Sequence, residues 1–350
     1  MDKLLSQKFR VVSLVLMIMV VYLHSYNIDT KQGGQILELP KDLNWFIQSY
    51  ISYGITRIAV PLFFIISGYF FVFDNKNSVA DISMKIRKRM KTLVIPYVFW
   101  AVFGILIYLI LQSVPQSQQF FTKQLIKDYT FLQWLDAILV NPIPYQLWFL
   151  KDLIVLVVLS PILLYLLKKL KLFFLAIILP FWLTNSDTVF LTSEALLFFT
   201  SGLYIGFYRA NLISLVSNTK ISLLIVWFLI VALKVYAGFA DHEIVALILL
   251  KTSILIGVPA FWLSYELWAS DGFRKTMSKF AQYSFFIYVF HEPMLTMIKK
   301  GMFSPLAKVP STYLIIYFVA PIMAIGISVI TAIIFNKIFP KLYNIVTGSR

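Results

Sequence analysis

The sequence predicts an all-α fold, a polytopic membrane bundle of about ten transmembrane helices in one domain, 1–350. Three observations predict it. Apolar residues make up 60% of the chain and charged residues only 13%, too few to clothe a soluble globule, so lipid must solvate most faces. Apolar stretches of about 20 residues, the length that crosses a bilayer, recur from near the start to near the end. Lysine and arginine gather in alternate connecting segments, as the positive-inside bias requires.

The first apolar run, 11–23, follows Lys3, Lys8 and Arg10 and has the outline of a signal sequence. No small-residue cleavage pattern comes after it, since the chain continues His24-Ser25-Tyr26-Asn27, and it reads as a retained first helix. The spans then fall at 10–27, 46–73, 92–111, 145–167, 172–184, 194–208, 220–238, 243–268, 280–298 and 311–336. The fifth and sixth are short for a crossing.

With a cytoplasmic N-terminus, the inner segments collect Lys3, Lys8 and Arg10, then Lys76 and the cluster 85–91, then Lys168, Lys169 and Lys171. They also collect Arg209, Lys220, Arg274, Lys275, Lys279, Lys337, Lys341 and Arg350. Only Lys299, Lys300 and Lys308 break the pattern, and both termini are expected to be cytoplasmic. The net charge of +15 is accounted for by this distribution, and nucleic acid is not the expected partner.

The longest polar stretch, 112–144, carries Phe120, Phe121, Leu125, Trp134 and Leu135 among polar residues. It suits an amphipathic helix at the interface or a cap over a cavity mouth. The absence of cysteine excludes disulfides, thiolate metal sites and cysteine nucleophiles. No GxSxG elbow, HExxH, Walker loop or dinucleotide fingerprint is present, and no metal site is expected.

Ionisable residues within spans are costly and face a cavity or a partner. His24 lies about 21 Å along its helix from Arg10, and His291 about 18 Å from Lys279. The two histidines are therefore expected at similar depth, in the outer half. The third, His242, falls in a short outer loop. Lys151, Asp152, Glu292, Arg57, Lys234 and Lys251 also map to spans, and a polar cavity opening outward would gather most of them. Plainer roles stand beside this one: an interfacial anchor for a single histidine, a local Lys151–Asp152 ion pair, and snorkelling for Lys234. The cluster Lys85, Arg87, Lys88, Arg89 and Lys91 serves equally as a topology signal in contact with anionic lipid or as a seat for cofactor phosphates.

Five segments, in order, resemble membrane acyltransferase family three, which includes O-acetyl- and O-succinyltransferases of bacterial polysaccharides. They are Val20-Val21-Tyr22-Leu23-His24-Ser25, Val60-Pro61-Leu62-Phe63-Phe64-Ile65-Ile66-Ser67-Gly68-Tyr69, Lys88-Arg89-Met90-Lys91-Thr92-Leu93-Val94-Ile95-Pro96-Tyr97, Leu147-Trp148-Phe149-Leu150, and Ile287-Tyr288-Val289-Phe290-His291-Glu292-Pro293. Each is weak alone; together they run over nearly the whole chain. The chain departs from the family in three places. Ser13 stands where relatives often carry Arg, with Arg10 one turn earlier; Lys88 and Lys91 stand for an Arg-x-x-Arg pair; Gln146 stands where many have His.

The resemblance implies a multi-pass protein of the bacterial plasma membrane with no tightly bound cofactor. It implies cytoplasmic acyl-CoA as co-substrate and a carbohydrate hydroxyl as acceptor. His24 is then the expected general base, or the site of an acyl-histidine. Asp152 or Glu292 would orient an imidazole, and Arg57 or His291 would stabilise the oxyanion. Arg10, Arg87, Lys88, Arg89, Lys91, Ser67 and Tyr69 are expected on the donor side, with Trp148 and Lys151 toward the sugar. A transporter of a glycan or small polar solute is the competing class, distinguished by having no use for a nucleotide-phosphate seat.

Overall fold

The structure, a computed structural model, describes residues 3–27, 31–32, 35–36, 41–73, 79–115, 121, 124–208, 220–306 and 311–348. Lys76, Phe120, Arg209, Lys308 and Arg350 lie outside these residues. The described chain is a helical bundle, with one two-residue antiparallel pair joining 31–32 to 35–36.

Its long elements are α1 (Lys3–Ser25), α2 (Leu43–Ser52), α3 (Ala59–Val72), α4 (Val79–Ser113), α5 (Phe131–Leu139), α6 (Trp148–Leu170) and α7 (Leu172–Leu183). There follow α8 (Ser193–Tyr208), α9 (Lys220–Phe239), α10 (Glu243–Leu263), α11 (Asp271–Phe280), α12 (Ser284–Leu306), α13 (Thr312–Ile338) and α14 (Pro340–Val346). Among the described residues, seven helical segments are long and apolar enough to cross a membrane. One of them joins α2 to α3 through the 3-10 turn Ile55–Ile58. The remaining three expected spans become α7, with 12 residues, α8, with 16, and α12, which is broken at Glu292.

α1 is central and packs on α2, α3, α11, α12 and α13. α3 and α8 run parallel and in close contact because glycines remove the side chains between them. A Cβ on Gly202 would lie 2.1 Å from the Ile65 carbonyl oxygen, and one on Gly68 would lie 2.2 Å from that of Phe199. Gly202 and Gly206 form a GxxxG spacing, which lets backbones approach where lipid offers no hydrophobic drive between helices.

The break in α12 follows from Pro293. The residue before a proline is steered out of the α region, and Glu292 sits at φ −113°, ψ 135°. Pro293 has no N–H, so the Val289 carbonyl loses its helical donor. The side chain of Gln146 replaces it: Nε2 donates to Val289 O at 3.3 Å and to Glu292 O at 2.9 Å. Tyr288 Oη donates in turn to Gln146 O at 2.7 Å. The turn before α6 is thereby clamped to the break.

Several cations close helix C-termini, whose last carbonyls lack donors and carry partial negative charge. Lys299 Nζ donates to His24 O (2.8 Å) and Tyr26 O (3.3 Å) at the end of α1. This gives Lys299 a physical reason to break the positive-inside pattern. Lys251 Nζ donates to Trp182 O at the end of α7 (2.8 Å). Lys85 does the same for Phe71 O in α3 (2.9 Å). Of the cations expected in one outward-opening cavity, Lys251 is thus a helix-end partner instead.

The described residues of the stretch 112–144 include a 3-10 turn, Ile126–Asp128, and α5, which starts at a capping box between Thr130 and Gln133. It packs on the end of α4 through Ile105, Ile126 and Ala137, and leaves Phe131, Leu132, Leu135 and Leu139 exposed as an apolar face.

Candidate active site

His24 and His291 come from α1 and α12, and their rings stack with centroids 5.5 Å apart and an interplanar angle of 22°. The agreement in depth inferred from helical rise thus ends in contact. Tyr145 packs edge-on against His24 at 5.1 Å, and its hydroxyl donates to Glu292 Oε1 at 3.2 Å. Glu292 is buried, and its carboxylate reaches His24 through this tyrosine. Arg57 and Lys299 are the cationic neighbours of His24, and Arg57 Nε is buried with no hydrogen-bond partner among the described residues.

The environment of His291 defines its tautomer. Nδ1 lies 3.0 Å from Ile287 O and 2.8 Å from Tyr288 O, and carbonyl oxygens only accept, so Nδ1 carries the proton. Nε2 is then a lone-pair acceptor, and it is buried without a partner among the described residues. In this form His291 cannot donate to an oxyanion. Of the two groups expected in that role, Arg57 is the one with a spare donor.

A cavity of about 400 Å³ runs along one face of α1. Ser6, Arg10, Ser13, Met17, Val20 and His24 line it. Their alternating spacing of four and three keeps one stripe of the helix turned to the lumen. From Ser6 to His24 the stripe extends about 27 Å. Arg89, from α4, joins Arg10 at one end, and Gln146 and Trp148 join His24 along the wall. Phe63, Phe70, Phe149 and Phe285 give the cavity aromatic walls, with Ser67 also in the lining. Arg10 Nη2 is held by Ser278 O, near the end of α11, at 2.8 Å.

The other candidates fall elsewhere. Arg87, Lys88 and Lys91 are exposed and do not line the cavity, so Arg89 alone of that cluster reaches it. Tyr69 stacks on Phe9 at 5.4 Å, beside the cavity wall. Asp152 does not reach a histidine and does not pair with Lys151. Its Oδ2 accepts from Thr192 N at 2.9 Å and Thr192 Oγ1 at 2.7 Å, at the start of α8. Lys151 donates to Val189 O at 3.2 Å. Both differ from the sequence-based expectation: Asp152 satisfies orphan donors at the start of α8, and Lys151 satisfies a carbonyl in the loop before it. Among the described residues, no cluster of three His, Cys, Asp or Glu could hold a metal.

Sequence reasoning missed Tyr145 and the role of Gln146. Their signal was the pair Tyr145-Gln146 directly before an apolar span, two groups that need partners at depth. It also missed the stripe Ser6–Arg10–Ser13–Met17, whose small and polar members at heptad-like spacing in an apolar helix were its mark.

A family model described as an acyltransferase domain matches residues 11–333. The chain is also similar to the succinoglycan biosynthesis protein ExoH of Rhizobium meliloti (strain 1021). The two are 25% identical over 365 aligned positions that take in 100% of this chain and 94% of that protein. No solved structure matches.

Proposed function

Because the chain belongs to membrane acyltransferase family three, we propose that it moves an acyl group from a cytoplasmic acyl-CoA to a hydroxyl of a cell-envelope polysaccharide or its lipid-linked precursor. The carbohydrate acceptor is carried over from the relative named for succinoglycan biosynthesis. The observation that carries the proposal is the cavity joining Arg10 and Arg89 at one end to His24 at the other. A guanidinium pair suits phosphates. An aromatic-walled cavity that follows about 27 Å of α1 suits an extended thioester arm. A transporter needs neither a terminal pair of arginines nor a histidine stack at the far end.

In this mechanism the Arg10 end of the bundle faces the cytoplasm of a bacterial plasma membrane, and both termini lie on that side. Arg10 and Arg89 hold the donor phosphates, with Ser13 and Ser67 along the arm. The thioester carbonyl comes to rest beside His24. His24 takes the proton of the sugar hydroxyl as its oxygen attacks the carbonyl carbon. Imidazole suits this step because its ordinary pKa lies near neutrality. Arg57 stabilises the negative oxygen of the tetrahedral intermediate. The carbon–sulfur bond then breaks, and the proton held by His24 passes to the thiolate. The products are a sugar ester and free CoA. Tyr145, anchored on Glu292, and His291, stacked on the His24 ring, keep that ring in one orientation.

The test is His24→Gln in nanodiscs with acetyl-CoA and succinyl-CoA. A general base contributes about 10²–10⁴-fold, so transfer should fall by that factor while donor binding by calorimetry stays near wild type. Transfer at the wild-type rate would remove His24 from the chemistry. Failure of folded wild-type protein to bind either thioester would remove the acyl-CoA donor.

A further inference from the structure

A second cavity, of about 630 Å³, opens beside the first at the His24 end, between the end of α4 and the segment 121–145. Tyr145 belongs to its lining and also touches the His24 ring, so the two cavities meet at that pair. The geometry points to this second cavity as the binding site for the carbohydrate acceptor, which presents a sugar hydroxyl to His24 past Tyr145. The inference rests on the acyl-transfer proposal above and gives its acceptor a place.

The chemistry of the lining selects the ligand class. Rings of Tyr108, Phe121 and Tyr129 supply flat apolar faces of the kind that pack on the C–H faces of sugars. The polar lining is almost wholly amide: Gln112, Gln124, Gln133 and Asn141, with Asp136. A sugar hydroxyl is one donor and two acceptors, so a site for several of them needs both kinds of group at short range.

The hydrogen bonds within the lining leave both kinds unused. Gln112 Oε1 accepts from Ile126 N at 2.9 Å, and neither of its N–H groups has a partner among the described residues. Gln133 Nε2 donates to Gln124 Oε1 at 3.0 Å, and Gln124 Nε2 to Asp128 O at 2.8 Å, so each keeps one N–H. Asn141 Nδ2 donates to both oxygens of Asp136, at 2.9 and 3.2 Å. That fixes the carboxylate and leaves lone pairs on Asp136 and on Asn141 Oδ1.

The charge of the described lining favours a neutral ligand. Among the described residues, no Lys or Arg lines this cavity, and its one charged side chain is acidic. Phosphates, nucleotides and isolated carboxylates would find no counter-charge here, in contrast to the Arg10–Arg89 end of the first cavity. The segment that forms the floor is held to α4 by Ile105, Ile126 and Ala137, so the amides stand on a packed base.

The experiment uses polysaccharide from the source cells, freed of O-acyl groups by mild alkali and cut to oligosaccharides. Saturation-transfer NMR in nanodiscs without donor reads binding, and steady-state transfer reads the acceptor and donor KM separately. Asp136→Asn and Tyr108→Ala should each weaken oligosaccharide binding and raise the acceptor KM by about tenfold, the value of one good hydrogen bond or ring contact. Donor KM and kcat at saturating acceptor should stay within about twofold. Raising NaCl from about 50 to about 500 mM should leave wild-type acceptor binding unchanged, because no ion pair holds the sugar.

An acceptor KM unmoved by both variants, with transfer intact, would overturn the site. So would acceptor binding that weakens steeply with salt. Oligosaccharide that binds here in a variant-sensitive way while no acyl group moves would support the site and refute the transfer proposal instead. Asp136→Asn is close to isosteric, so the test does not depend on Tyr108→Ala remaining folded.

Discussion

Removing one oxygen, in Tyr145→Phe, isolates the link between Glu292 and His24. The phenol makes two contacts with different physics: its ring lies edge-on to His24 at 5.1 Å, and its hydroxyl donates to Glu292 Oε1 at 3.2 Å. Phenylalanine keeps the first and deletes the second. Glu292 is 4% exposed and accepts no other side-chain donor among the described residues. A hydrogen bond to a charged group is worth about 1.5–3 kcal/mol. At about 1.4 kcal/mol per decade, full expression of that loss at the transition state lowers kcat by roughly 10–150-fold. Because the ring still covers His24 and the Arg10 end is far away, donor KM should not change. The assay is steady-state transfer to deacylated polysaccharide, with Tyr145→Ala beside it. The alanine variant also frees the histidine ring and should be slower still. A kcat for Tyr145→Phe within about twofold of wild type would refute the idea that Glu292 acts on His24 through this residue.

Two further predictions concern parts of the bundle outside the chemistry. Gly202→Val should destabilise the protein by several kcal/mol, because its Cβ alone would stand 2.1 Å from a backbone oxygen of α3 that cannot step aside. Thermal unfolding in detergent should show a clear drop in Tm, and an unchanged Tm would mean the α3–α8 contact is looser than described. Asp152→Ala removes the acceptor of two Thr192 donors at the start of α8 and should cost about 1–2 kcal/mol, with kcat per folded molecule retained. Loss of kcat in well-folded Asp152→Ala would return that carboxylate to the catalytic set.

What the chain disclosed by itself depended on whether the relevant physics was local. Membrane spans are local in sequence, and their composition and flanking charges were enough to expect the bundle. The depths of His24 and His291 followed from helical rise counted from Arg10 and Lys279, and the rings stack at 5.5 Å. Contacts set by distant orphan groups were not legible in this way. Asp152 looked like a catalytic carboxylate until Thr192 supplied its two donors. Lys299 looked like a topological exception until the last carbonyls of α1 appeared beside it. Gln146 registered only as a departure from the family, although the proline at 293 strips the Val289 carbonyl of a donor that Gln146 replaces. Ser13 registered likewise, yet it and Arg10 share one face of α1, and both line the cavity.

That cavity is the centre of the account, and the chain's lack of cysteine makes it directly testable. Ser13→Cys places a single thiol one turn from Arg10 on the way to His24, on the lumen stripe. The measurement is its rate of modification by a small maleimide, with and without a non-hydrolysable acyl-CoA thioether. Ser13→Cys should be modified in the free protein and protected by about tenfold or more when the thioether is present at about ten times its Kd or above. Equal modification in both conditions, in protein shown by calorimetry to have bound the thioether, would mean that the donor takes another path and that the Arg10-to-His24 passage is not the donor channel.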